Sequence, residues 1–403
     1  MSLLRLLAPL LILAAADLRA EVIEPWILPA TNNAAQPSLS QTPNGELLLS
    51  WIQRAPEGGH RLQMSHYSKS GQWSPVRTIA SGKNFFVNWA DFPATQALAD
   101  GSIWAHNLEK SGTGTYSYDV ILRRSADMGK TWSTAFRVNA PVEAEHGFVS
   151  LWPWSKQQLG VAWLDGGTNA ASDANHDEHG HGGAMMSMRV ASVDANFNKN
   201  QEWPIDLSTC DCCQTDTAMT ARGPIVVYRD RTKDEIRDIY TTRFDGKKWT
   251  QPLRVHADNW KMPACPVNGP AISAYGNKVW TAWYTSAKQA SVRIAYSKDA
   301  GDHFEPMREV ASNNAHGRVD ILSDKDSVWV SWLVEEKARQ TVWLAQYSHD
   351  LKIEKRRFAL PNIVGNGRAT GFPRMQILNN DIYVVWTDIK DGKPQLRGHI
   401  VKQ

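Results

Sequence analysis

The chain has few cysteines, no excess of either charge, and no long apolar run beyond its first twenty residues. Its 403 residues include only 4 Cys, and 44 Lys and Arg nearly balance 41 Asp and Glu, for a net charge of +3. With no basic run either, this balance argues against a nucleic-acid partner. No later segment approaches the roughly 20 apolar residues of a membrane-spanning helix, and none carries a sustained helical stripe. These absences argue against a polyelectrolyte-binding protein, a membrane span and a mainly helical fold.

The first 20 residues have the pattern of a secretory signal peptide. Arg5 precedes an almost unbroken apolar stretch at 6–16, and Ala20 supplies a small residue for cleavage. About a dozen apolar residues are too few to span a bilayer; the alternative is a buried N-terminal helix. We therefore expect residues 1–20 to be removed and residues 21–403 to form a single domain in the periplasm or outside the cell. Such a compartment is oxidising, which bears on the four cysteines.

Tryptophan is unusually abundant, with 18 residues, and it marks a repeat. A β-rich apolar run ending in Trp or Tyr recurs seven times, and successive runs end 49 to 65 residues apart. The seven terminal residues are Trp51, Trp104, Trp163, Tyr228, Trp283, Trp332 and Trp386. Each repeat is long enough for four short strands. The period predicts an all-β protein, a seven-bladed β-propeller.

Two sharp turns share a second pattern. Ser-x-Asp-x-Gly is followed by two polar residues and an aromatic residue at 125–132 and at 297–304. The Asp accepts hydrogen bonds from its own turn, and the Gly permits a positive φ. These turns resemble the Asp-box, or BNR repeat, of sialidases and of secreted bacterial sialidase-like propellers. Because enzymatic sialidases with Asp-boxes have six blades, the resemblance leaves six blades as the alternative to seven.

The two ends of the chain predict how the ring closes. The seventh repeat runs out after its third strand, at 395–401, and the segment 22–28 is similar to a fourth strand. Pairing the two segments would complete the last blade and remove the exposed sheet edges. We therefore expect an N-terminal strand to close the propeller.

The Asp-box resemblance also indicates which loops carry function. In such propellers the box lies opposite the functional face, which is built by the loops between blades and those joining each second strand to its third. Here these loops are rich in polar residues, among them Glu145-His146-Gly147 and the cysteine-containing segments. We expect a glycan, another small-molecule ligand or a periplasmic protein to bind on this face.

The first candidate function is glycoside hydrolysis of the sialidase class, with other glycan hydrolysis or lyase chemistry behind it. The resemblance implies three arginines around a substrate carboxylate, a Tyr nucleophile activated by Glu, and an acid/base Asp. The candidate polar ring consists of Arg229, Asp230, Arg231, Glu235, Arg318, Asp320 and Arg374, with Tyr228 or Tyr284 nearby. The chain departs from the family where the first blade opens, since Ala35-Gln36-Pro37 stands in place of the first arginine.

The second candidate is a metal or redox site on the same face. Cys210, Cys212 and Cys213 lie within four residues, and Cys265 opens the adjacent blade. If extended, the segment 210–213 would point its first and third residues one way and its last the other. The candidate auxiliary ligands are His146, His176, His179 and His181. Thiolate sulfur with imidazole selects soft metals, Cu(I) above all, with Zn(II) as an alternative.

Two other interpretations stay open. The four cysteines fit two disulfides with three alternative pairings. A disulfide from Cys265 to one of the three cysteines at 210–213 would cross-link two blades. A non-catalytic propeller would instead recognise a glycan or protein through aromatic and arginine side chains. The sequence favours a periplasmic or secreted propeller with a thiol-centred site, in which the cysteines are either metal ligands, with copper as the candidate metal, or disulfide partners.

Overall fold

The predicted repeats fold as seven four-stranded antiparallel sheets. The computed structural model describes residues 22–167, 185–337, 339–361, 365 and 367–403. The first strand is β1 (Ile23–Pro25). Blades 1 to 3 comprise β2 (Ala34–Gln41), β3 (Leu47–Arg54), β4 (His60–Tyr67), β5 (Arg77–Gly82); β6 (Ala94–Ala97), β7 (Ile103–Lys110), β8 (Tyr118–Ser125), β9 (Phe136–Arg137); β10 (His146–Pro153), β11 (Leu159–Asp165), β12 (Met186–Val193) and β13 (Lys199–Thr209).

The remaining four blades follow in chain order. Blades 4 and 5 comprise β14 (Asp216–Thr220), β15 (Gly223–Arg229), β16 (Ile239–Arg243), β17 (Leu253–Arg254); β18 (Ala271–Tyr275), β19 (Lys278–Thr285), β20 (Ser291–Ser297) and β21 (Arg308–Ser312). Blade 6 comprises β22 (Ala315–Ser323), β23 (Val328–Glu336), β24 (Arg339–Tyr347) and β25 (Glu354–Ala359). Blade 7 comprises β26 (Gly371–Leu378), β27 (Asp381–Lys390), β28 (Lys393–Val401) and, as its outer strand, β1.

The N-terminal strand closes the ring. β1 pairs antiparallel with β28, with Ile23 opposite Val401 and Pro25 opposite His399. Both the seven-bladed fold and its closure by the N-terminal segment are therefore confirmed, and the six-bladed alternative is wrong. Within the described residues the regular structure is all strand, and no helix there is long and apolar enough to cross a membrane.

The hydrophobic core is divided into seven clusters, each packed between two neighbouring blades. Trp51 lies in the cluster between blades 7 and 1, and Trp163 lies in the one between blades 2 and 3. Both side chains are completely buried. Truncating a buried tryptophan costs about 3–5 kcal/mol, so the repeated tryptophans stabilise the packing of blade on blade.

The Asp-box turns have the predicted local chemistry. Asp127 accepts the N–H of Thr131 at 2.9 Å, and the N–H of Gly129, whose φ is +81°, donates to Ser125 Oγ at 2.8 Å. This turn joins β8 to β9, the third and fourth strands of blade 2. The loops between blades therefore lie at the opposite end of the propeller.

Three aspartates, two of them buried and Asp216 half-buried, join alternate pairs of blades around a central cavity of about 550 Å³. Each carboxylate accepts a backbone N–H from the next blade at 2.7–2.9 Å. The acceptor and donor pairs are Asp91 with Phe148, Asp216 with Ile272, and Asp320 with Met375. Asp320, predicted as part of a catalytic ring, thus connects blades 6 and 7.

Candidate functional site

Residues 210–213 form a turn between the last strand of blade 3 and the first strand of blade 4. The Cys210 N–H donates to the Arg229 carbonyl at 3.0 Å, and the chain then turns at Asp211 and Cys212. The extended conformation assumed from the sequence is therefore wrong. Because the chain turns, the three thiols converge instead of pointing to opposite sides.

The sulfur atoms of Cys210, Cys212 and Cys213 form one group. All three lie within 4.8 Å of one another; the Cys210 sulfur is 3.3 Å from that of Cys213 and 3.8 Å from that of Cys212. Cys210 and Cys213 are almost completely buried, whereas Cys212 is half-buried. All are free thiols in the structure.

Cys265 lies next to this group, with its sulfur close to that of Cys212. The sulfur atoms of these two residues and a carboxylate oxygen of Asp211 lie within 4.8 Å of one another. Cys265 is half-buried and reaches the turn from the loop that opens blade 5. The structure thus brings together all four predicted cysteines, with Cys212 common to both groups.

A charged network borders the thiols. Arg237, fully buried, donates from Nη1 to Cys210 Sγ and to Asp211 Oδ1, each at 3.2 Å, and from Nη2 to Glu235 Oε2 at 2.9 Å. Arg231 pairs with the same Glu235 at 2.7 Å and lies 3.8 Å from Asp211. The predicted Arg231 and Glu235 therefore belong to the surroundings of the thiols and bind each other.

Arg229 holds two blades together. Its guanidinium donates to the carbonyls of Arg237, Asn268 and Tyr284 at 2.7–2.8 Å and lies 4.9 Å from the ring centroid of Trp260. These carbonyls belong to blade 4 and to the segment that continues into blade 5. Arg229 is therefore a scaffold for the cysteine loops, with its donors occupied by backbone.

The thiols differ in acidity. Hydrogen bonds with Cys210, Cys213 and Cys265 raise the pKa of Cys212, and burial raises the pKa of Cys210 to about 11. Burial alone would also raise the pKa of Cys213, but the hydrogen bonds from Cys210 and Cys212, together with the Arg229 charge, lower it. Cys213 is therefore the most acidic of the three thiols of this turn, because its neighbours Cys210 and Cys212 hydrogen-bond to it and the Arg229 charge lies nearby.

A buried tyrosine and two acids lie near the thiols on the same face. Tyr118 Oη is 2.9 Å from Glu145 Oε1 and 3.2 Å from Asp91 Oδ2, and Tyr118 is completely buried. Burial, together with the charge of Asp211, raises the pKa of Glu145 to about 8. Burial likewise raises the pKa of Asp91 to about 7. Both acids are therefore largely protonated at pH 6, a state that sequence patterns do not reveal.

Arg318 lies at the mouth of the ring among aromatic side chains. Its guanidinium is 4.9 Å from the Phe372 centroid and 5.5 Å from that of Trp89, and its backbone N–H donates to Asn268 Oδ1 at 2.8 Å. Arg318 is only 5% exposed, yet its Nη1 has no hydrogen-bond partner among the described residues. Burial lowers its pKa to about 10. A buried guanidinium nitrogen without a partner is costly, so the position is suited to an anionic group.

The other predicted residues are placed separately. Arg374 lies 3.9 Å from Asp320 and 5.6 Å from the Phe92 ring, at the central cavity. Asp230 has its pKa raised to about 7 by burial and by the charge of Asp206, and belongs to neither cysteine group.

The histidines do not join the cysteines in the part of the chain that is described. His146, fully buried, has its Nε2 3.1 Å from the Val142 carbonyl and its Nδ1 3.4 Å from Asp165 Oδ2. His176, His179 and His181 lie outside the described residues.

Sequence reasoning missed Arg237, Asp211 and Tyr118 as site residues. Arg237 stands eight residues after Arg229 on the other arm of the same loop, and nothing in its local pattern distinguishes it from a surface charge. The one available signal was its position in a loop of the functional face.

Comparisons with known proteins identify the fold. A protein of unknown function from Dyadobacter fermentans matches with a TM-score of 0.54 and 14% identity, over 94% of this chain and 98% of that one. The polysaccharide lyase Uly1 matches with a TM-score of 0.56 and 10% identity, over 93% and 91%. The phage phi92 endosialidase gives 0.50 and 10%, over 95% of this chain and 69% of that chain. At these identities the likeness is one of fold.

No protein-family model matches the chain, and the comparison with curated proteins also gave no match.

Proposed function

We propose that this propeller binds a soft metal ion, in the first place Cu(I), on Cys210, Cys212 and Cys213, with Cys265 as a fourth sulfur. The observation that carries the proposal is the group of three sulfur atoms within 4.8 Å of one another. A tetrahedral metal about 2.3 Å from each sulfur separates its ligands by about 3.8 Å. That is the distance between the sulfurs of Cys210 and Cys212.

The charges around the cluster favour the same ligand. Metal binding deprotonates the thiols, and three thiolates around Cu(I) leave an excess of two negative charges. Arg237, in contact with Cys210, and Arg229, whose charge acts on Cys213, place positive charge beside the thiolates, although Arg237 is also paired with Asp211 and Glu235. Soft sulfur prefers Cu(I) to hard cations, and Zn(II) on four thiolates would carry the same excess. With residues 1–20 removed, we place the protein in the periplasm or outside the cell, where metal binding competes with disulfide formation.

Competition with a chromophoric Cu(I) chelator tests the proposal on reduced protein under anaerobic conditions. We expect one Cu(I) per chain, lost in Cys212→Ser and Cys213→Ser and retained in Thr215→Ser, a control in the same segment that keeps its hydroxyl. Tryptophan emission of every variant establishes that the propeller is folded. Folded cysteine variants that bind Cu(I) as tightly as the parent would refute the proposal, and stoichiometric Zn(II) in place of Cu(I) would correct the metal.

A specific observation favours a second function on the same face, recognition of an acidic glycan. Arg318 offers a buried, unpartnered Nη1 between Trp89 and Phe372, and aromatic faces of this kind stack on sugar rings. A uronate or sialate carboxylate would accept from the guanidinium. The polysaccharide lyase and the endosialidase among the structural matches support a carbohydrate ligand. Sialidase-type hydrolysis is less well supported, because Tyr118, the tyrosine beside Glu145, is completely buried.

Binding of uronate and sialate oligosaccharides, measured by calorimetry, tests this second function. We expect Arg318→Gln to weaken binding at least tenfold, whereas Arg124→Gln should leave it unchanged. Arg124 is a matched control because its guanidinium also lies over a tryptophan, 6.0 Å from the Trp104 centroid, next to an Asp-box. Equal loss in both variants, or no binding by the parent, would remove the glycan function.

A further inference from the structure

The four cysteines differ in a way that metal binding does not require. Cys210 and Cys213 are 0% and 1% exposed, and their sulfurs are 3.3 Å apart. Cys212 and Cys265 are half-buried, and their sulfurs lie within 4.8 Å of each other. The site therefore contains one buried pair of thiols and one pair that solvent reaches.

Cys212 is the link between the two pairs. It belongs to both groups of neighbouring ligand atoms, and its sulfur is 3.8 Å from that of Cys210. Thiol–disulfide exchange proceeds by attack of one sulfur on another, so it needs sulfur atoms in sequence within reach of each other. The order Cys265, Cys212, Cys210, Cys213 is such a sequence, from the surface to the interior.

We infer that the four thiols form a dithiol–disulfide relay that takes up oxidising equivalents from an external disulfide and stores them on the buried pair. In the first stage the Cys212 sulfur attacks the external disulfide and its proton passes to the leaving sulfur, so that a mixed disulfide forms and one thiol is released. Cys265 then attacks Cys212, forming the Cys212–Cys265 disulfide and releasing the second thiol. The external disulfide is reduced to two thiols, which take the two protons of the cysteine pair.

In the second stage the disulfide moves inward without net oxidation. Cys210 attacks the sulfur of Cys212 and releases Cys265 as a thiol. Cys213 then attacks Cys210, so that Cys212 leaves and a Cys210–Cys213 disulfide remains. Cys212 and Cys265 are again thiols and can react with a second external disulfide. The relay is a redox activity, distinct from metal binding, although it uses the same sulfurs.

The chain offers a clean readout of where a disulfide lies. Trypsin releases Cys210, Cys212 and Cys213 together in the peptide 200–222 and Cys265 in the peptide 262–278. A disulfide to Cys265 therefore joins two peptides, whereas a disulfide within the triplet lowers the mass of one peptide. Fragmentation of that peptide identifies which two of its cysteines are joined.

The experiment uses the folded, fully reduced protein with a chelator present and one equivalent of oxidised glutathione. After alkylation at successive times, we expect the disulfide to accumulate between Cys210 and Cys213. In Cys213→Ser the last step is blocked, so the disulfide should stay on Cys212, joined either to Cys265 or to Cys210.

Two further variants form a matched pair. Cys265→Ser keeps Cys212, which Cys210 reaches directly, so the buried disulfide should still form. Cys212→Ser removes the link, and the buried disulfide should form at least tenfold more slowly, since Cys210 and Cys213 are shielded from glutathione. Equal rates in these two variants, or a disulfide that remains on Cys212 and Cys265 in the parent, would overturn the relay. Failure of Cu(I) binding would leave these outcomes unchanged, because no metal takes part.

Discussion

Replacing Asp91 with asparagine is expected to stabilise the propeller at pH 8 and to have a much smaller effect on its stability at pH 5. Asp91 is 2% exposed, and burial raises its pKa from 3.8 to about 7. Oδ1 accepts the Phe148 N–H at 2.9 Å, and Oδ2 lies 3.2 Å from the Tyr118 hydroxyl. An asparagine keeps the first bond, and its amide can donate to the Tyr118 oxygen while that hydroxyl donates to Glu145.

The magnitude follows from the two pKa values. The unfolded chain releases the Asp91 proton near pH 4 and the folded chain near pH 7, so the unfolded state binds fewer protons between these limits. The parent therefore loses stability as pH rises from about 4 to about 7. At about 1.4 kcal/mol for each pKa unit, the loss reaches about 4 kcal/mol. Asparagine does not titrate, so Asp91→Asn escapes this loss.

Urea unfolding followed by tryptophan emission at pH 5 and pH 8 measures the effect. Asp299→Asn is the opposite control, since hydrogen bonds from Ser297 and His303 hold the pKa of that Asp-box carboxylate near 2 despite partial burial. Loss of this carboxylate in Asp299→Asn should lower the free energy of unfolding at both pH values. An Asp91→Asn variant that gains no more at pH 8 than at pH 5 would contradict the reasoning.

Three other changes have expected outcomes. Gly147→Ala should lower the free energy of unfolding by roughly 2 kcal/mol or more, seen in urea unfolding, because its Cβ would lie 2.0 Å from Asp91 Oδ2. Arg237→Met should weaken Cu(I) binding at least tenfold in the chelator competition, with partial recovery in Arg237→Lys, because the guanidinium contacts Cys210. Deleting residues 22–28 should lower the thermal midpoint by several degrees, because it removes the outer strand of blade 7 and exposes the edge of β28.

The fold was predictable because its signals are local and repeated. Each blade carries a large aromatic residue such as Trp163 or Trp332 within its second strand, and each sharp turn carries its own acceptor, as Asp127 does. Propeller topology then fixes which loops share a face. The position of the four cysteines on one face follows from this order of strands alone.

The roles of individual side chains were less predictable because they depend on loop conformation. The turn at 211–212 brings Cys213 to the side of Cys210, which no alternation rule for strands anticipates. Arg229 was predicted as a ligand-facing residue, but the paths of two loops supply three carbonyls to its guanidinium. Arg237, in contrast, turns toward a sulfur. Identical residue types in one loop therefore take different roles according to which acceptors the neighbouring blade presents.

Metal binding and the relay make opposite demands on Cys212. As a metal ligand it must stay reduced, and as the link between the two cysteine pairs it must exchange its bond with Cys210 or Cys265. A bound soft ion would therefore block the relay, and a disulfide on the buried pair would remove two of the three sulfurs that hold the ion. By mass action, metal binding stabilises the reduced state and oxidation favours metal release. The two proposed activities are thus coupled through one sulfur atom, so the redox state of the surroundings would set the metal affinity of this face.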